Sequence, residues 1–184
     1  MQIEKSWGRA GYVLRPARPE DAGNYYEQNY CPLDPEAARL TGCRESFSRD
    51  EVLSFFHSSL ADQDRCFFLL IAPDGSIIGE SVINEINWDL RSANLRTGIY
   101  QPAQRGKGIG TWMVETTRDF AFASLHLHRL GLDVFSFNPR ARKVYEKAGF
   151  RVEGVLRDAV MDGGQYGDDI LMAILEDEWR ALPH

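Results

Sequence analysis

Hydrophobic and polar positions alternate in short blocks along the chain, and their periods predict a mixture of strands and helices. The first apolar block, residues 12–15, predicts a short strand that Pro16 ends. Proline and acidic residues over 18–21 are typical of the first turn of a helix. Residues 29–48 are irregular, and Pro32 and Pro35 there predict that no long helix forms.

The middle of the chain predicts one capped helix and one β-hairpin. Ser48 is expected to cap the helix, because Glu51 stands three residues later, at the start of an apolar run. The uninterrupted apolar run 66–72 predicts a buried strand. A tight turn at 73–75 then predicts residues 76–84 as the hairpin partner of that strand.

The second half alternates between strand and helix. A strand is predicted at 93–100, and Gly98 inside it lets a ligand or another backbone come close. After it we expect a helix from about Gly108, a strand at 130–137, a helix from Asn138 to a C-cap at Gly149, and a hairpin of 150–161 with 170–175. The order β, α, α, β, β, β, α, β, α, β, β favours one α/β domain over residues 1–184.

Length, charge and hydropathy exclude several classes of function. A chain of 184 residues suits one sizeable core. The net charge of -6 argues against a general electrostatic grip on nucleic acid, and it suits a cationic substrate, although solubility alone also explains it. The longest uncharged apolar stretch, 66–73, is about a third of a membrane span. We therefore expect no nucleic-acid partner and no membrane partner.

The cysteines point to a reducing compartment. Cys31, Cys43 and Cys66 are odd in number and widely spaced, so they predict neither a disulfide framework nor a metal site. The first residues show no cationic segment followed by an apolar core, so no secretory signal is expected. The sequence therefore favours a cytoplasmic protein.

The segment 99–111 carries the clearest chemical signal. Gly106, Gly108 and Gly110 stand between a predicted strand end and a predicted helix start. Such a turn exposes backbone N–H groups, and the helix adds partial positive charge, which together suit phosphate oxygens. Arg105 and Lys107 add full positive charges. A merely structural glycine turn is the alternative that this segment alone leaves open.

Two familiar phosphate loops are excluded by the spacing. A P-loop needs glycine where this chain has Gln101, and a dinucleotide fingerprint needs glycine where it has Thr111. What remains is the pattern Arg105-x-x-Gly108-x-Gly110 after a strand end. In that setting the sequence resembles the GNAT superfamily of acetyltransferases, whose pyrophosphate loop reads Arg/Gln-x-x-Gly-x-Gly/Ala.

A second block, from Asn138 to Phe150, looks like the other signature of that family, in which a strand end and an Asn precede a helix carrying a Tyr. The resemblance extends over residues 12–179 and implies a single GNAT-like domain with that core. It implies an α/β (α+β) fold in which helices flank a central mixed, mostly antiparallel sheet. It also implies acetyl-CoA as cosubstrate, without a metal.

The resemblance also assigns roles to residues. Asn138 is expected to bond the pantetheine arm, and Tyr145 to protonate the departing thiolate. A bent strand at 98–100 would leave backbone N–H groups for the pantetheine and for the thioester carbonyl, with the carbonyl donor at Ile99 or Tyr100. The residues expected to bind the cofactor are Ile99, Tyr100, Arg105, Gly106, Lys107, Gly108, Ile109, Gly110, Thr111 and Asn138.

Attack by an amine needs a base, because an alkyl amine with a pKa near 10 is almost wholly protonated at neutral pH. Glu85 is the leading candidate, with Glu80 and Asp89 as rivals, and a solvated surface carboxylate is the alternative for each. Ordered water is a further route for the proton. For Tyr145 the alternative is a helix tyrosine that packs on the sheet.

The acceptor is less sharply defined than the cofactor. The resemblance is closest to the branch of ribosomal-protein N-terminal and spermidine acetyltransferases, so a protein N-terminus and a polyamine-like amine both remain open. A non-catalytic acyl-CoA-binding regulatory module is the alternative function, and an interaction domain without cofactor is a third. Edge strands in the C-terminal hairpin predict a possible homodimer.

Overall fold

A computed structural model describes residues 4–183 and arranges them around one eight-stranded sheet. Its strands are β1 (Trp7–Arg9), β2 (Tyr12–Pro16), β3 (Cys66–Ile71), β4 (Ile77–Asn87), β5 (Ser92–Ile99), β6 (Arg129–Phe135), β7 (Arg151–Asp162) and β8 (Gln165–Leu175). Its α-helices are α1 (Ala22–Asn29), α2 (Pro35–Thr41), α3 (Arg49–Ala61), α4 (Ile109–Ala123), α5 (Pro139–Lys147) and α6 (Glu176–Arg180).

The sheet is mixed and mostly antiparallel, as the resemblance implies. The strand order is β1-β2-β3-β4-β5-β6-β8-β7, and only β5 and β6 pair in parallel. Helices cover both faces, which explains the uninterrupted apolar sequence of β3. Phe68 packs in the core on the α4 side, whereas its neighbours Phe67 and Leu69 pack with Tyr25 of α1 and Phe56 of α3.

The region 29–48 contains a short helix that the sequence interpretation missed. Pro35 occupies the first turn of α2 and begins the helix instead of breaking it. The side chain of Asp34 accepts a hydrogen bond from the N–H of Ala37, and Gly42 ends the helix with φ 66°. The capping box that begins α3 is confirmed, with Ser48 and Glu51 each bonding the other's backbone N–H.

The C-terminal hairpin ends the sheet with β7 as an edge strand. Its exposed apolar side chains are Val152, Val155, Leu156, Met161 and Tyr166. A homodimer through this hairpin stays a prediction.

Within residues 4–183 no helix has the length and hydropathy to cross a membrane. The same residues contain no group of three or more His, Cys, Asp or Glu that could hold a metal ion.

Candidate active site

A cleft lies where β5 and β6 separate. The parallel ladder joins only residues 92–94 of β5 to residues 129–131 of β6. Beyond it, β6 stays paired with β8, and β5 stays paired with β4 as far as Ile99. The two strands therefore diverge, and a cavity of about 500 Å³ opens between them, bounded below by α4 and α5.

The backbone N–H of Ile99 faces this gap. The N–H of Tyr100 donates to the carbonyl of Ile78 on β4 at 2.9 Å, while Ile99 is paired with Gly79. Along an antiparallel strand, the backbone N–H groups of successive residues point alternately towards the partner strand and away from it. The N–H of Tyr100 points towards β4, so the N–H of Ile99 points away from it. The N–H of Tyr100 is already bonded to β4, so Ile99 has the better placed N–H of the two candidate oxyanion donors. Its contact with the thioester oxygen stays a prediction.

The glycine-rich loop leaves room for a ligand in front of α4. Gly106 and Gly108 have φ of 79° and 78°, and a Cβ added at either would meet nothing within 4 Å. Left-handed backbone rather than crowding therefore requires glycine there. Gly106, Gly108, Gly110 and Thr111 line the cavity at the start of the 15-residue helix. Open N–H groups at a helix N-terminus fit a pyrophosphate.

Two residues of the segment 99–111, Ile109 and Arg105, make contacts within the protein. Ile109 is buried and anchors α4 in the core. The guanidinium of Arg105 donates to Asp34 Oδ2 and Glu36 Oε2, each at 2.6 Å, and to the carbonyl oxygen of Ile99 at 2.9 Å. The guanidinium of Arg105 therefore ties the loop to α2, and its contact with a cofactor phosphate stays a prediction.

Lys107 and Asn138 occupy different parts of the site. Lys107 is exposed on the loop, and its Nζ donates to Gln104 Oε1 at 2.8 Å. Asn138 lines the cavity and caps α5 through its Oδ1, which accepts from the N–H of Ala141 at 3.2 Å. Among the described residues no hydrogen bond uses the Asn138 amide nitrogen. The contact of Asn138 with pantetheine stays a prediction.

Tyr145 lies on α5 inside the cleft, and it is 7% exposed. Its phenolic oxygen is 3.2 Å from the hydroxyl of Thr97 on β5. Burial raises the pKa of Tyr145 above its ordinary value. The phenol therefore keeps its proton at neutral pH, as a proton donor must. Thr97, which the sequence interpretation missed, fixes where that donor points.

The two candidate glutamates lie in different surroundings. Glu85 is exposed, has φ 56° and sits in the β4–β5 bulge, outside the residues that line the cavity. Glu80 is 2% exposed and accepts hydrogen bonds from Tyr25 at 2.5 Å and from Arg96 at 3.0 Å. Arg96 itself lines the cavity. The structure thus does not bring Glu85 together with Tyr145.

Two further acids at the cleft were missed by the sequence interpretation. Asp133 of β6 lines the cavity, and Asp169 of β8 stands opposite Phe135, two residues further along β6. Burial, and then the charge of Asp133, raises the pKa of Asp169. Asp169 Oδ1 is buried without a hydrogen-bond partner among the described residues. The available signal was acid inside otherwise apolar strands, namely Asp133 in β6 and the adjacent Asp168 and Asp169 in β8.

Comparison with known proteins agrees with this geometry. The sequence matches the family model for an acetyltransferase (GNAT) domain over residues 12–151. The spermidine N(1)-acetyltransferase of Vibrio cholerae is 32% identical over 135 residues, which cover 73% of this chain and 76% of that protein.

Solved structures extend the similarity to the fold. A Vibrio cholerae spermidine N-acetyltransferase in complex with CoA and spermine has a TM-score of 0.83 at 26% identity, and the match covers 94% of this chain and 99% of that chain. A dodecameric structure of spermidine N-acetyltransferase from Vibrio cholerae has a TM-score of 0.77 at 26% identity, covering 95% and 100%. The chain therefore belongs to the GNAT family of acetyltransferases, and it transfers the acetyl group of acetyl-CoA to an amine.

Proposed function

We propose that the acceptor is a small cationic amine of the polyamine class, which attacks the thioester directly in the gap between β5 and β6. The observation that carries this is the pair of carboxylates at the cleft, Asp133 in its lining and Asp169 behind it. Neither makes an ion pair among the described residues. A positive charge between them would relieve their mutual repulsion, because an opposite charge stabilises each ionised carboxyl.

The similar proteins support this acceptor class. One Vibrio cholerae relative is a spermidine N(1)-acetyltransferase, and a similar solved structure from Vibrio cholerae holds CoA and spermine. The net charge of -6 is compatible with attraction of polycations.

The residues of the cleft divide the work of acetyl transfer. Backbone N–H groups at Gly106, Gly108 and Gly110 would hold the pyrophosphate. The N–H of Ile99 would donate to the thioester oxygen as negative charge develops there. Tyr145 would give its proton to the sulfur as the thiolate departs, since acetyl-CoA supplies an activated acyl group and a thiol leaving group.

The base is the remaining role. Sequence favours Glu85, but its exposed position outside the cavity favours a different route for the amine proton. Glu80 is buried beside the cleft, with one oxygen bonded by Arg96 and the other by Tyr25.

Thiol release from acetyl-CoA across a panel of amines tests this function. We expect turnover with spermidine and spermine, and mass spectrometry should find one acetyl group on each amine product. Turnover only on peptides with a free N-terminus would contradict the polyamine class and favour a protein acceptor. Lack of turnover with every amine, despite acetyl-CoA binding, would contradict the proposed function altogether.

We also propose a cytoplasmic location and self-association through β7. Cys31, Cys43 and Cys66 are all free thiols, which a reducing compartment preserves. The exposed apolar side chains of β7 and the dodecameric relative support association of identical chains. Light scattering of the purified protein measures this directly, and a mass of one chain at micromolar concentration would contradict it.

A further inference from the structure

Three tyrosine hydroxyls lead from the cavity to the buried carboxylate of Glu80. Tyr100 lines the cavity, and its hydroxyl lies 3.4 Å from that of Tyr30. The hydroxyl of Tyr30 lies 3.1 Å from that of Tyr25, which in turn lies 2.5 Å from Glu80 Oε2. The four groups come from α1, the segment after it, β4 and the residue that follows β5, so only the folded protein brings them together.

The carboxylate of Glu80 fixes the direction of every hydrogen bond in this row of hydroxyls. Each tyrosine hydroxyl has one proton to donate, whereas an ionised carboxylate only accepts. Tyr25 donates its hydroxyl proton to Glu80, so the oxygen of Tyr25 must accept a hydrogen bond from Tyr30. Tyr30 must then accept from Tyr100 by the same reasoning. If the phenol of Tyr100 donates inward in this way, its lone pair is free to accept a proton from a ligand in the cavity.

Burial keeps the three phenols protonated. Burial raises the pKa of Tyr30 to about 12 and raises the pKa of Tyr25 and Tyr100 well above the ordinary value. Arg96 is the charged partner that faces Glu80 from β5. The other neighbours of Tyr25, Phe56 of α3 and Phe67 of β3, are apolar rings at centroid distances of 4.9 and 5.8 Å.

We propose that Tyr100, Tyr30 and Tyr25 relay the proton of the attacking amine from the cavity to Glu80. This rests on the proposed function, and it assigns the route of the proton without a carboxylate in the cleft itself. Tyr100 is the catalytic residue of this route, because of the four groups it is the one that lines the cavity and would touch the amine. Tyr30, Tyr25 and Glu80 are positioning and relay residues that act through it.

The step balances in atoms and charge. The amine enters the step neutral, because its ammonium proton has already passed to solvent. As the new C–N bond forms, the nitrogen becomes strongly acidic and its second N–H bond breaks. The proton binds the oxygen of Tyr100, whose own proton passes to Tyr30, that of Tyr30 to Tyr25, and that of Tyr25 to the carboxylate of Glu80. The sulfur receives a separate proton from Tyr145. Solvent then returns the proton of the Glu80 carboxylic acid to the phenolate of Tyr145. The long bonds of 3.1 and 3.4 Å agree with the tendency of catalytic hydrogen bonds to tighten when substrate binds.

Three variants test the relay with little change of shape: Tyr30→Phe, Tyr25→Phe and Glu80→Gln. Tyr26→Phe is the matched control. Tyr26 lies on α1 beside Tyr25, and its hydroxyl is not one of the relay groups. For each protein we would measure kcat and KM for spermidine from pH 6 to 10, the affinity for acetyl-CoA by calorimetry, and the thermal midpoint.

The relay predicts that kcat falls by roughly 10²-fold in the three variants, with acetyl-CoA affinity unchanged. It also predicts that part of the loss is recovered as pH rises, because hydroxide then accepts the proton, and that Tyr26→Phe keeps full activity. Wild-type kcat and pH profile in a folded Tyr30→Phe protein would overturn the relay. Tyr30→Phe is decisive because its hydroxyl is the middle link of the relay, with hydrogen bonds of 3.1 and 3.4 Å on its two sides. An inactive wild-type enzyme would instead count against the proposed function.

Discussion

The phenolic oxygen of Tyr145 on α5 lies 3.2 Å from the hydroxyl of Thr97 on β5, across the gap where the sheet opens. Thr97 and Ile99 are two residues apart, so their backbone N–H groups face the same side of β5. The contact therefore places the expected acid and the expected oxyanion donor on opposite walls of one cleft. Tyr145 is therefore positioned by the same strand that is proposed to bind the thioester oxygen.

Removing the phenol of Tyr145 is expected to slow acetyl transfer. Tyr145→Phe should lower kcat by roughly 10²-fold or more, because the thiolate then departs without a proton donor. Calorimetry should find acetyl-CoA affinity nearly unchanged, since the phenol is not part of the pyrophosphate site. Thr97→Val, which removes only the positioning contact, should cost less, and full activity in Tyr145→Phe would reassign the acid.

A negative charge in the glycine-rich loop is expected to weaken cofactor binding. Gly108→Glu would place a carboxylate beside the pyrophosphate, where like charges repel. Gly108→Gln is the matched control, because it imposes the same strain at φ 78° without the charge. Calorimetric titration with CoA should show a larger loss of affinity for Glu than for Gln. Equal affinities would remove the loop from the phosphate site.

Arg105 and Asp34 are expected to show strong coupling in a double-mutant cycle. Their side chains are only 13% and 17% exposed, so each variant that removes one partner leaves the other poorly solvated. Urea unfolding of Arg105→Gln, Asp34→Asn and the double variant should give a coupling free energy of about 1–3 kcal/mol. The exposed pair Arg142 and Glu146 is the control, with about 0.3–0.5 kcal/mol expected. A coupling free energy no larger than that of Arg142 and Glu146 would show that the ion pair between Arg105 and Asp34 does not stabilise the fold.

Asp133 is expected to set the affinity for the cationic acceptor. Asp133→Asn should raise KM for spermidine several-fold and leave acetyl-CoA affinity unchanged, because the lost attraction concerns only the polyamine. The difference in KM between the two proteins should shrink as salt is added, since salt screens the charge. Steady-state kinetics at two ionic strengths measures both effects. An unaltered KM in the variant would place the acceptor elsewhere.

Alkaline pH is expected to destabilise the fold through Cys66. Burial raises the pKa of this thiol to about 12, whereas an exposed thiol ionises near 8.5. The unfolded chain therefore loses its proton first, so this contribution to stability is complete below about pH 8.5 and is lost as pH rises towards 12. As pH rises, the free energy of unfolding should fall less steeply for Cys66→Ala than for the wild type. The two slopes should differ by at most about 1.4 kcal/mol per pH unit.

Exposed Cys31 and Cys43 supply the controls for that experiment. Alanine at either should leave the slope of stability against pH unchanged. Identical slopes for the wild type and Cys66→Ala between pH 9 and 11 would show that the thiol is already solvated in the folded state.

The parts of the fold that sequence predicts are those set by local chemistry. The cap at Ser48 and the start of α4 after Gly108 follow from residues within one turn of each other. The helix α2 was missed because Pro35 is ambiguous on its own, and the cap from Asp34 decides between starting and breaking a helix.

The parts of the site that sequence does not predict depend on distant contacts. Arg105 and Asp34 are 71 residues apart in the chain, and Tyr25 and Glu80 are 55 apart. Their pairing follows from how α1 and α2 pack on the sheet, which no local pattern encodes. Glu85 illustrates the same limit, because a bulge between β4 and β5 turns its position outward.

Acetyl transfer itself is tested most directly by incubating the protein with acetyl-CoA and spermidine while thiol release and the mass of the amine are followed together. One free thiol is expected for each acetylated amine, with the rate strongly reduced in Tyr145→Phe. Thiol release without acetylated amine, or an acetylated amine formed equally fast by Tyr145→Phe, would contradict it.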